Sequence, residues 1–409
     1  MKQLAFVLAA AIVAAFAGPS LAQTQQVKPP IAVYWMSVET AGGMNLGLPP
    51  GMGGFAPQGM QGGKRMRLEL GSTQAASGDP RAAHAIPPAL AMGQSLPLVT
   101  PRIERAPARD DAEEQEFEKP KGRMLLYWGC GDAVRAGQPV VFDFAQMNPQ
   151  DAARVFRSRS ISRPRGPAPG RNRTYGAWPN QEDARQVPAQ ASLRGDHAVS
   201  GNYSPEIRFA VGERHDFMDA VALDSARKPA GAYGVKWNAV PTAIGYFATA
   251  TGQGENRDDV VFWSSSEVQE FGQQLMDYLP PAGVERLIRD KVVMPPATTE
   301  CAVPAGIFKG EGAALNFIAY GDELNLVQPP RPKDPKLTWE QQWAVKLRLK
   351  STAMTLLGEG AASARRGRDT PQQSPPQQAP QAEQREAQPP AAPDPLKEGV
   401  KALRKILPF

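Results

Sequence analysis

The chain is poor in the residues that metal and redox chemistry use. Its 409 residues include 2 cysteines and 3 histidines, the latter being His84, His197 and His215. It contains no Cys-x-x-Cys pair and no zinc-type Cys/His cluster, which removes structural zinc and thioredoxin-like readings. HExxH, GxSxG and a phosphate-binding GxxxxGK[ST] are also absent. No apolar run reaches the roughly 20 residues that a spanning helix needs. Lys and Arg number 46 against 41 Asp and Glu, a formal charge of +5. That balance does not by itself imply a nucleic-acid partner, and none is expected. Proline and glycine are abundant instead, at 41 and 38. Their excess over average usage favours turns, linkers and short strands over long helices.

The first 22 residues read as a secretory signal peptide. Lys2 supplies the basic start, residues 4–16 form a 13-residue apolar run, and Ser20-Leu21-Ala22 offers a small-x-small cleavage site. The mature chain is then expected to begin at Gln23, and the expected location is periplasmic or secreted. An exported chain with two cysteines permits one disulfide, Cys130 to Cys301; two buried free thiols are the alternative. The far end reads differently. Residues 371–395 contain 8 Pro, 7 Gln and 5 Ala, a composition that cannot offset chain entropy by burial. Residues 359–393 are therefore expected to be disordered. An amphipathic helix is expected over 394–409, with Leu396, Val400, Leu403 and Leu407 on one face. That face is the candidate for docking on a partner or a membrane surface.

Between the ends the pattern is mainly β. Residues 31–38, 66–70, 124–130 and 140–144 alternate or are β-branched, and read as strands of a β-rich domain over 23–150. That domain carries a Gly/Met-rich insertion at 42–63 and a charged loop at 101–123. Residues 151–200 read as a linker, because Arg154, Arg157, Arg159, Arg163, Arg165, Arg171 and Arg173 crowd together with prolines. A second domain, 201–358, is expected to hold strands at 206–211, 235–237, 245–251, 259–265, 291–294, 314–320, 324–327 and 343–349. One helix is expected over 268–279, from the spacing of Val268, Phe271, Leu275, Met276 and Leu279. The fold class that follows is mainly β, with two sandwich-like domains on a Pro/Arg-rich linker.

Val235-Lys236-Trp237, Val240-Pro241-Thr242-Ala243 and Gly245-Tyr246 carry a resemblance over about residues 230–265. This stretch resembles a fibronectin type III-like repeat. The resemblance implies a two-sheet β-sandwich in which Trp237 fills the core, Tyr246 packs near it, and Trp263 lies on the next strand. It implies no activity, because such sandwiches are scaffolds for grafted sites.

Chemistry-bearing clusters are few. His215, Asp216 and Asp219 could act as metal ligands or as an acid/base set, but a solvated turn before a strand is the favoured reading. Met44, Met52 and Met60 could hold a soft metal such as copper, against a flexible loop. No cofactor is expected. The resulting expectation is an exported, non-enzymatic envelope protein that binds another envelope protein or glycan. The alternatives are an envelope-polymer hydrolase using unpatterned carboxylates and a copper-binding protein.

Overall fold

A computed structural model describes residues 25–45, 62–102, 122–146 and 161–358. The expected signal peptide, most of the Gly/Met insertion, most of the charged loop, Arg154, Arg157 and Arg159, and the segments expected to be disordered (359–393) and helical (394–409) fall outside the described residues.

The described chain is mainly β, with one α-helix. Nine strands make one sheet. In chain order they are β2 (Ala32–Asn45), β3 (Gly63–Ser72), β6 (Arg123–Trp128), β7 (Val140–Asp143), β8 (Thr174–Trp178), β13 (Ala243–Gln253), β14 (Val260–Ser264), β16 (Lys309–Gln328) and β18 (Trp343–Leu357). Their spatial order is β7-β6-β14-β13-β16-β18-β2-β3-β8. Two of the pairings are parallel, β14 with β6 and β18 with β2. Those junctions join the early and late halves of the sequence edge to edge, so strands from 25–178 and 243–357 share a single hydrogen-bonded sheet.

Alternation sets the two faces of this sheet. Tyr34, Met36 and Val38 point one way with Leu347 and Leu349, into the main core. Two smaller sheets cover that inner face. One has the order β10-β9-β4-β5, from β4 (Ala82–Ala85), β5 (Ser95–Pro97), β9 (Gly195–Gly201) and β10 (Ser204–Val211). The other has the order β11-β12-β15, from β11 (Leu223–Arg227), β12 (Tyr233–Trp237) and β15 (Glu300–Val303). The opposite, outer face is partly covered by helix α1 (Pro281–Arg289), whose Val284 and Leu287 pack with Phe247, Ile318 and Tyr320. A two-stranded ribbon, β1 (Val27–Lys28) with β17 (Trp339–Glu340), ties the start of the described chain to the β16–β18 turn.

Three expectations need correction. The segment 151–200 is not a linker throughout, because Thr174–Trp178 is a fully buried edge strand and 195–200 belong to β9. Charge and proline density hid a five-residue strand whose Tyr175, Ala177 and Trp178 seal the sheet end. Helix does not form over 268–279. Gly272 sits at φ 77, in the left-handed region, and only a three-residue 3-10 turn follows, Gln273–Leu275. The apolar residues of this segment are buried all the same: Leu275 and Leu279 under α1, and Phe271 against Phe262. The helix starts later, at Pro281, where proline suits the first helical position. Residues 291–294 are not a strand either. Met294 makes one isolated bridge to Tyr246.

Candidate functional site

The outer face of β2, β3 and β18 carries charge where a sheet against a helix layer would carry aliphatic residues. Outward positions of β18 are Lys346, Arg348, Lys350 and Thr352, and those of β2 are Trp35, Ser37 and Glu39. The parallel register sets Lys350 opposite Glu39. Lys350 Nζ lies 3.8 Å from Glu39 and 3.4 Å from Asp277. Thr352 Oγ1 donates to Glu39 Oε1 at 2.6 Å. The Arg348 guanidinium is 4.9 Å from the Trp35 ring centre and 4.3 Å from that of Tyr278, and its Nε donates to Ser37 Oγ at 2.8 Å. Lys346 pairs with Glu323 at 2.5 Å. Partial burial strengthens such contacts relative to water, and each cation here has an aromatic face or a carboxylate partner. Burial, with Glu39 next in effect, pushes the Tyr278 phenol well above its ordinary value, so it stays neutral.

Beside this row opens a cleft of about 370 Å³. Glu39, Arg65, Lys350, Thr352, Asn316 and Gln273 supply its polar wall, with Met276 and Ala41 among the apolar residues. Its volume falls in the range of small-ligand sites. With Thr249, the wall offers one carboxylate, two cations, two amides and two hydroxyls, a set suited to hydrogen-bonding a polar group. Sequence reading missed this cleft. Alternation in 343–349 and the β-branched and aromatic content of 31–38 mark two strands, but nothing in the sequence says that β18 lies beside β2.

The residues singled out from sequence are placed as follows. Cys130, just after β6, is joined to Cys301 on β15 in a disulfide with Cα atoms 5.2 Å apart. Trp237 and Tyr246 meet across the core at 5.6 Å between ring centres, with Phe317 at 4.7 Å from Trp237. Trp263 is buried and its indole N–H donates to Gly129 O at 3.1 Å. His215, Asp216 and Asp219 do not converge. His215 faces Asp322 at 3.9 Å. Asp216 accepts from Ser192 Oγ at 2.5 Å and from the Leu193 N–H at 2.7 Å, holding a loop, while Asp219 is exposed. Among the described residues no group of three His, Cys, Asp or Glu side chains is placed to hold a metal. Met52 and Met60, the Met44 side chain, and Leu396, Val400, Leu403 and Leu407 lie outside the described residues. Among the described residues no helix is long and apolar enough to cross a membrane.

No family model matches the chain, and no curated protein matches it.

Proposed function

We propose that the chain is an exported, non-enzymatic module that binds another envelope component, a protein or a glycan, on a fibronectin type III-like sandwich. One observation carries the reading. Consecutive strands β12 and β13 lie in opposing sheets and bring Trp237 against Tyr246, in the sheet orders β11-β12-β15 and β14-β13-β16-β18. The disulfide between Cys130 and Cys301 fits an oxidising compartment, where such bonds persist. The polar cleft beside Glu39 and Lys350 is where a sugar or a polar peptide group would be held, and the expected terminal helix over 394–409 would supply a second, tethered contact.

Two measurements on the full-length protein in its native cells test this. Intact mass of the recovered protein should show a chain beginning at Gln23 in the envelope fraction. Cross-linking in intact cells should yield adducts to an envelope protein or glycan, reduced by Glu39→Gln together with Lys350→Gln or by deleting 394–409. An unprocessed chain in the cytosol, or no adducts at any cross-linker length, would overturn the proposal.

A further inference from the structure

Three polar side chains form a continuous hydrogen-bonded chain inside the main core, between the nine-stranded sheet and the β10-β9-β4-β5 sheet. Tyr34 comes from β2, His84 from β4 and His197 from β9. Tyr34 Oη lies 2.8 Å from His84 Nδ1, His84 Nε2 lies 2.9 Å from His197 Nδ1, and His197 Nε2 lies 2.7 Å from the carbonyl oxygen of Leu193. Tyr34 and His84 are fully buried and His197 is 2% exposed. Phe209 on β10 stacks on His197 at 5.0 Å between ring centres.

The last acceptor fixes every proton. A carbonyl only accepts, so His197 Nε2 carries a hydrogen and, in the neutral ring, His197 Nδ1 is an acceptor. His84 Nε2 must then donate, which makes His84 Nδ1 the acceptor of the Tyr34 hydroxyl. One neutral arrangement satisfies all three groups, polarised from Tyr34 towards Leu193. A first added proton, on either ring, turns His84 Nδ1 into a donor and leaves the Tyr34 hydroxyl hydrogen without its acceptor. A second sets two N–H groups against each other across 2.9 Å, and the contact must break.

Charged groups near the relay are few. Asp196 precedes His197 on β9 and is exposed. Asp216 holds the Leu193 N–H and meets Arg194 at 3.4 Å. Burial is the largest influence on both rings and disfavours their charged forms. For His84 the neighbouring ring adds to it, while for His197 Leu193 and Asp196 act in the opposite sense without reversing it.

We propose that the Tyr34–His84–His197 relay is an acid-operated latch between these two sheets. The histidines take up protons only when the four-stranded sheet parts from β2, so acid favours the parted state. Because folding depresses both histidine values, the closed state loses nothing above about pH 6.5 and loses ground as pH falls below it. At pH 5.0, opening becomes easier by about 30-fold if one ring is protonated in the open state and about 1,000-fold if both are.

Hydrogen exchange of the full chain, expressed as protection factors at pH 7.5 and 5.0, tests the latch. Protection in β4, β9 and β10 should fall by at least tenfold, while β13 and β16 keep theirs. His84→Gln with His197→Gln preserves donors and acceptors in the same order but cannot titrate, and should abolish the difference. Equal protection at both pH values, a fall shared equally by β13 and β16, or an undiminished fall in the double variant would overturn the proposal. Should the double variant not fold, NMR titration of the wild-type imidazole Cε1–H signals decides: rings still neutral at pH 5.5 in the folded state support the latch, and rings titrating near pH 6.5 in it refute it.

Discussion

Replacing Cys130 and Cys301 by serine should cost about 5 kcal/mol of unfolding free energy, nearly all of it through the unfolded chain. The bond closes a loop with a sequence separation of 171. The chain-entropy relation for a loop of that length gives about 5 kcal/mol at 25 °C. The folded state keeps its geometry without the bond, because backbone hydrogen bonds already hold the two segments together. Gly131 N donates to Ala302 O at 2.9 Å and Ala305 N to Asp132 O at 3.1 Å. Urea titration of both forms, followed by tryptophan fluorescence, measures the difference. The serine variant should also show a steeper denaturant dependence, since its unfolded state is more expanded and exposes more surface. Reduced wild-type protein should behave like the variant. A loss under about 1 kcal/mol would refute the reasoning, because it would mean that the 130 and 301 regions stay associated after unfolding.

Four further outcomes follow from particular contacts. Gly272→Ala should destabilise by about 1–3 kcal/mol in the same assay, because an added Cβ would sit 2.5 Å from the Phe247 ring at a φ of 77. Arg348→Met keeps much of the stem volume but removes the cation between Trp35 and Tyr278, and should cost about 1–3 kcal/mol by thermal unfolding. Asp216→Ala leaves Ser192 and the Leu193 N–H without their acceptor and should cost about 2 kcal/mol, with raised proteolysis near residues 191–194. Asp259 is held below the usual carboxylate range, first by the Arg123 side chain, whose two contacts are 3.0 and 2.5 Å. A depressed carboxylate stabilises above its ordinary value and stops doing so as pH falls through its folded value. The stability gap between wild type and Asp259→Asn should therefore be constant from pH 7 to 5 and close below about pH 4.

How much of this was legible in the sequence depended on how far apart the partners lie. Residues 343–349, whose burial alternates, and 31–38 and 245–251, rich in β-branched and aromatic residues, could be read locally, because each of these signals lies within one segment. Thr174–Trp178 left no such mark. All five of its residues are buried, so it does not alternate, and arginines and prolines precede it. The segment 268–279 had a helix-like apolar spacing that packing satisfied without a helix, since Gly272 bends the chain under Phe247. The cleft and the relay lay further out of reach. Glu39 and Thr352 are 313 residues apart and His84 and His197 are 113 apart. Each pair depends on strand neighbours that sequence pattern does not specify. The Trp237–Tyr246 contact was reached only through the resemblance carried by residues 230–265, which holds both residues within one short stretch.

The order of strands also has a consequence for how the molecule comes into being. The strand between β16 and β2 is β18, the last strand of the described chain. Until residues 343–357 have been made, β2 has only β3 as a neighbour and one long side of its backbone is unpaired. A chain emerging from its N-terminus therefore holds two incomplete sheet fragments, and the closing strand arrives after roughly 300 residues have waited for it. A protein built this way completes its largest sheet only when the last strand of the described chain has been made. Chains stopped before residue 343 should present open strand edges to one another and associate rather than fold.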